Sequence, residues 1–132
     1  MKTAYGVEVL PVVIEDPGGL VNDVGGSLQI VRAACIEAVV HAAVLSVRAF
    51  ERSTNRAKTP GGELLLRLAG TLQIRDAIRE VGLAKGPGYL VVFGGSAEEA
   101  RRRLGLRPWE GEHCPGEKLK PLLERAAMVE VL

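Results

Sequence analysis

The sequence predicts one domain, residues 1–132, that mixes strands and helices around a single core. Two runs rich in β-branched residues, "YGVEVLPVVIE" and "SLQIV", and one continuous apolar run, "YLVVFGG", have the composition of strands. Five further segments repeat apolar residues at helical spacing. With 132 residues, 47% hydrophobic and 25% charged, the chain is long enough for one real core and too apolar for disorder.

Pro11 interrupts the first run, which predicts an edge strand or two strand pieces. Residues 16–26, "DPGGLVNDVGG", form a loop by composition. After the short strand 27–31, a helix spans about 33–52. Its polar residues Glu37, His41, Arg48, Glu51 and Arg52 make one narrow stripe, so the helix must be packed on several sides. A basic loop, "STNRAKTPGG", follows. Pro60 suits the first turn of the next helix, where its missing N–H costs little. Helix 63–69 presents Leu64, Leu65 and Leu68 inward, Gly70 ends it in the left-handed conformation, and Thr71 caps the next helix. That helix puts Ile74, Ala77, Ile78 and Val81 on its inner face. After the buried strand 89–95, Ser96 and Glu99 have capping-box spacing for another helix. Residues 107–117 read as a loop. Leu119, Leu122, Leu123, Ala126 and Ala127 then recur at helical spacing, with Pro121 acceptable only near that helix's first turn. The closing "MVEVL" fits a strand equally well.

The net charge of +1 excludes a wholesale polycation, but charge is unevenly distributed. Residues 1–47 carry two basic and five acidic side chains, a net of −3, while residues 48–80 carry seven basic and four acidic, a net of +3. A local basic zone on a near-neutral chain suits a localised anionic partner better than a nonspecific DNA coat. Glu8 and Pro11 interrupt any secretory apolar core, and the run "AVVHAAVLSV" is too short to span a bilayer. A soluble, cytoplasmic protein without membrane contact is the expectation.

Chemistry is harder to find. The glycine pairs at 18–19 and 25–26 match neither a dinucleotide fingerprint nor a Walker loop. The Phe93–Glu99 junction offers helix N–H groups to a phosphate, but Glu98 and Glu99 repel one and Ser96 already has a capping role. Cys35, Cys114, His41 and His113 are the only soft ligands and lack zinc spacing, so no metal is expected. His113 and Cys114 are neighbours, a spacing that works against convergence. The two cysteines allow at most one disulfide, and nothing in the sequence requires it. Arg48 and Arg52 lie one turn apart, with Arg56 and Lys58 in the loop beyond. They make either a solvated face paired with Glu51 or Glu63, which composition slightly favours, or a cradle for a phosphate backbone. His41, on the same stripe, joins that cradle or pairs with Glu37. Few aromatics accompany the zone, which argues against extensive base stacking.

The block "HAAVLSVRAFERSTNRAKTPGGELLLRLAGTLQIRDAIREVGL" resembles the small kinase-binding regulatory subunit of the KEOPS complex. The resemblance rests on His41, Glu63-Leu64-Leu65, Gly70, Gln73-Ile74, Ala77-Ile78 and Gly82 in that order, with "LQIV" before and "YLVVF" after. It covers roughly residues 27–94. Arg67 departs from the bulky or aromatic residue usual there. The resemblance implies an α+β fold, a small and mainly antiparallel sheet packed against several helices, with no active site and no cofactor. It moves the start of the central helix toward Glu37. It also implies an archaeal-type subunit that serves threonylcarbamoyl modification of the adenosine beside the tRNA anticodon, docks on the N-lobe of the complex's kinase/ATPase, and binds the 3′ CCA end of tRNA. On this reading Arg48, Arg52, Arg56, Lys58 and Gln73 contact nucleic acid. Leu119, Leu122, Leu123 and Met128 contact the kinase, and there is no small-molecule substrate. The competing readings are a small nucleotide-binding enzyme using the glycine turns and Cys114, and a plain oligomerisation module.

Overall fold

A computed structural model describes all residues from Met1 to Leu132. Four strands, β1 (Val7–Ile14), β2 (Leu28–Val31), β3 (Gly86–Phe93) and β4 (Arg107–Pro108), form one sheet in the order β2-β3-β1-β4. All three pairings are antiparallel, with Val9 opposite Val91 and Ile30 opposite Leu90. The helices are α1 (Ile36–Glu51), α2 (Pro60–Ala69), α3 (Ile74–Val81), α4 (Ala97–Leu104) and α5 (Gly116–Met128). The α+β architecture is therefore the one expected.

Strand alternation divides the core between the two faces of the sheet. Val7, Val9, Val31, Tyr89 and Val91 point to one side, against α1, α2, α3 and Ala126 of α5. Val12, Ile14, Ile30, Leu90 and Val92 point to the other, against Leu20, Ala97 and Ala100. Covered on both faces, β3 needs a continuous apolar run rather than an alternating one, which is why "YLVVF" is so conspicuous.

Local signals place most helix ends. Thr59 accepts the Gly62 N–H at 3.1 Å, so α2 starts at Pro60, three residues earlier than its apolar pattern suggests. Gly70 ends α2 at φ +68°, and its N–H bonds the Leu66 carbonyl. Ser96 accepts the Glu99 N–H at 3.2 Å and opens α4.

Several expectations are corrected. β1 is one unbroken strand lying between β3 and β4, not an edge. Val9 donates to the Met1 carbonyl and Val7 accepts from Thr3, so odd-numbered residues aim their polar groups away from β3. Pro11 shares that direction and falls between the N-terminal segment and the two-residue β4, where no ladder bond is lost. Thr71 accepts the Gln73 N–H in a tight turn, and Gln73 is itself the N-cap of α3, without a side-chain cap. On α3 only Ala77 and Val81 are buried; Ile74 and Ile78 are 44% and 52% exposed. The apolar arc is wider than the contact of this eight-residue helix. Its outer edge lines an open cleft of about 510 Å³ with Val21, Val24 and Leu83. Pro121 sits six residues into α5 and not in its first turn. It lies on the exposed face, where water can serve the Glu117 carbonyl that the missing N–H leaves free. The C-terminal segment continues as a 3-10 turn over Val129–Val131, so the strand alternative for it falls away.

Candidate functional site

The basic loop is shaped from beneath by two charged residues that α2 turns inward. Glu63 and Arg67 are wholly buried and form an i,i+4 ion pair at 3.0 Å. Glu63 Oε1 also accepts the backbone N–H groups of Arg56 and Ala57, both at 2.8 Å. Arg67 Nη2 donates to Glu130 Oε1 at 2.9 Å, while its Nη1 has no hydrogen-bond partner. Glu130 follows α5, and its carbonyl takes a 3.3 Å bond from Arg56 Nη2. One ionic network thus joins the loop, α2 and the C-terminal turn. The sequence reading had only leucines of α2 inward, because charged residues four apart look like a solvated face.

Above this network the cations have no carboxylate partner, although Arg56 keeps its bond to the Glu130 carbonyl. Arg48 is half-buried in the last turn of α1, Arg52 caps that helix, and Arg52, Arg56 and Lys58 are exposed. None of the four has a carboxylate within 4.0 Å, a property shared with Arg32, Arg75, Lys85, Lys118 and Lys120, whereas Arg79, Arg101, Arg102, Arg103, Arg107 and Arg125 are ion-paired. The alternative of a face paired with Glu51 or Glu63 is not what forms, since Glu63 is committed inside. Ser53 turns the chain out of α1 at φ +59°, and the Asn55 side chain donates to the Ala57 carbonyl at 2.9 Å. Gln73 is exposed beyond the far end of α2, a helix of 10 residues and about 15 Å from the loop before Pro60. His41 does not pair with Glu37, which engages His113 instead. Burial lowers the His41 pKa, so its imidazole is neutral at neutral pH and adds no charge to the zone.

On α5, Leu119, Leu122 and Leu123 are half-buried and Met128 is 53% exposed. Only Ala126 of this helix is buried. Leu122 lines a small cleft of about 160 Å³ with Ala34, Leu68 and Arg125. Met128, Val131 and Leu132 extend the apolar surface to the end of the chain, each at least 49% exposed. No helix is long and apolar enough to cross a membrane.

The features behind the nucleotide-enzyme reading have structural occupations. Cys114 is bonded to Cys35 in a disulfide, Cα atoms 5.5 Å apart, so its sulfur is not a free nucleophile. Asp16 accepts the Gly19 N–H, and Gly61 packs on the Gly26 carbonyl, leaving little room for a side chain. At the start of α4, Glu8 Oε1 accepts the Ala97 N–H at 3.1 Å, so a carboxylate holds the place considered for a phosphate. A further cluster lies outside what sequence spacing predicts: Cys35, Glu37 and Cys114 converge, with His113 on Glu37. Adjacent His113 and Cys114 reach one carboxylate because Cys114 does so through its backbone N–H, a route that spacing rules do not consider.

No protein-family model matches the chain. Among curated proteins it is similar to the KEOPS complex subunit Cgi121 of Pyrococcus abyssi (strain GE5 / Orsay), with 38% identity over 143 aligned residues. The alignment takes in 100% of this chain and 82% of that relative. With identity of this level sustained from end to end, on an α+β scaffold of the expected kind, the chain belongs to the Cgi121 family of KEOPS subunits.

Proposed function

We propose that this protein is a non-catalytic subunit of a KEOPS complex that binds the complex's kinase/ATPase and the single-stranded 3′ CCA end of tRNA. In that role it supports threonylcarbamoyl modification of the adenosine beside the anticodon, in the cytoplasm. The observation that carries the nucleic-acid part is a set of four cations without carboxylate partners, Arg48 and Arg52 at the end of α1 and Arg56 and Lys58 on the following loop, whose backbone Glu63 holds at Arg56 and Ala57. Cations without carboxylate partners meet a phosphate backbone without first breaking an ion pair, and they position a strand without reading its sequence. Gln73, further along, offers amide donors and an acceptor to a base edge. The kinase contact falls on α5, where Leu119, Leu122, Leu123 and Met128 leave apolar surface uncovered.

The test is a joint change of Arg52, Arg56 and Lys58 to Glu. With about three or four phosphates contacted, parental tRNA affinity falls with salt at a log–log slope of roughly −2 to −3. The triple variant binds tRNA far more weakly, keeps its kinase partner, and becomes insensitive to removal of the CCA end. Met128→Glu does the reverse, weakening the kinase complex without lowering the melting temperature. A triple variant that holds intact tRNA as the parent does refutes the cradle.

A further inference from the structure

α1 begins in a constellation separate from the basic loop. Cys35 is its N-cap and is wholly buried, while Cys114 arrives 79 residues later on the loop before α5. Glu37, in the first turn, accepts the Cys114 N–H through Oε1 at 3.0 Å and meets His113 Nδ1 through Oε2. The ligand atoms of Cys35, Glu37 and Cys114 all lie within 4.8 Å of one another.

What holds this geometry is not only the disulfide. The Ile36 N–H donates to the Glu112 carbonyl at 2.9 Å, and the Glu112 N–H donates to Tyr89 Oη at 2.9 Å. Trp109 Nε1 donates to the Gly88 carbonyl at 3.1 Å, and the rings of Tyr89 and Trp109 lie 5.6 Å apart. Loop 109–114 is therefore anchored to β3 and α1 by bonds that survive reduction. Opening the disulfide leaves two thiols facing each other beside a fixed carboxylate.

We propose that the reduced chain binds one zinc ion through Cys35, Cys114 and Glu37, with His113 as the residue that positions Glu37. The disulfide is then the metal-free, oxidised form of the same site. Two thiolates and a carboxylate suit zinc, whose Zn–S bonds of about 2.3 Å need sulfurs about 3.8 Å apart in a tetrahedron. The 5.5 Å Cα separation leaves that opening to a rotation of the half-buried Cys114 side chain. Cys35 lies at a helix N-terminus, which favours its thiolate. The Glu37 side chain, 29% exposed, marks the solvent side by which a metal enters and on which water completes the fourth position. His113 on one carboxylate oxygen and the Cys114 N–H on the other fix Glu37 as outer partners fix metal ligands.

The chemistry balances with a dithiol as reductant. It gives two electrons and two protons to the Cys35–Cys114 bond and becomes a disulfide itself. Zinc then displaces both thiol protons, so uptake weakens as pH falls.

The experiment uses the full chain, oxidised or reduced with a dithiol that is then removed without air, and titrated with cobalt and then zinc. The reduced chain is expected to take one cobalt per chain, with a thiolate-to-cobalt charge-transfer band and the strong visible absorption of tetrahedral cobalt, both erased by zinc. The oxidised chain takes none. Glu37→Gln lowers zinc affinity at least tenfold and His113→Ala about 10–100-fold, while both still expose two thiols and keep their helical spectrum. Cys114→Ser, which leaves Cys35 as the one thiolate, at least halves the charge-transfer band. A reduced parent that shows no such band, or a Glu37→Gln chain that binds zinc as tightly as the parent, overturns the proposal.

Discussion

Changing Glu63 to Gln leaves the volume of the side chain and removes its charge, which separates two roles of this residue. Arg67 then keeps a full charge in the interior with Glu130 alone beside it, and its Nη1 is already unpartnered. Removing one member of a buried pair costs about 3–5 kcal/mol. A chain of 132 residues has an unfolding entropy of about 0.28 kcal/mol/K, so the melting temperature should drop by about 11–18 °C. Replacing both residues, Glu63→Leu with Arg67→Met, removes the charges together and should bring stability back to within about 2 kcal/mol of the parent. Loop order should survive Glu63→Gln, whose amide oxygen still accepts, but not the double variant, where leucine offers the Arg56 and Ala57 N–H groups no acceptor. Thermal melts of the parent, the single and the double variant read the first effect, and hydrogen exchange at Arg56 and Ala57 reads the second. A double variant as unstable as the single one, or loop amides that stay protected in the double variant, would show this account of the network to be wrong.

Reducing the Cys35–Cys114 bond in the presence of a chelator, which keeps the dithiol metal-free, frees a loop closed over 79 residues and should cost about 4–5 kcal/mol, or about 16 °C in a melt. An unchanged melting temperature would mean that the surrounding hydrogen bonds alone hold the junction. Glu37 should set part of the acid limb: burial raises its pKa, but the Cys114 N–H and His113 outweigh this, and the net value lies below the ordinary 4.5. A depressed carboxyl contributes stability that is complete above about pH 4.5 and is lost as pH falls through the lower folded value. Glu37→Gln should therefore lose less stability than the parent on acidification below pH 4.5, as followed by denaturant melts at stepped pH. Gly70→Ala should cost at least about 1–2 kcal/mol, since φ is +68° and a new Cβ would sit 2.5 Å from Arg125 Cγ. Equal urea midpoints for Gly70→Ala and parent would contradict that.

What the sequence determined by itself is local. The Gly70 stop, the Pro60 and Ser96 starts and the two-sided burial of β3 depend on residues within a turn of one another, or on one short run. The ordered pattern from His41 to Gly82 carried the family for the same reason, being a string of local requirements along one stretch of chain. Tertiary structure decided whatever depended on a distant partner. Glu63 and Arg67 were indistinguishable from a surface pair until the loop amides and Glu130 closed over them. Ile74 and Ile78 kept an inward period that α2 proved too narrow to cover. Cys35 and Cys114, 79 residues apart, had no shared neighbourhood in the chain at all. Periodicity states which side chains lie on one face, but burial is a property of whatever packs against that face. A polar or sulfur ligand gains its chemistry only where the fold brings its partner within bonding distance.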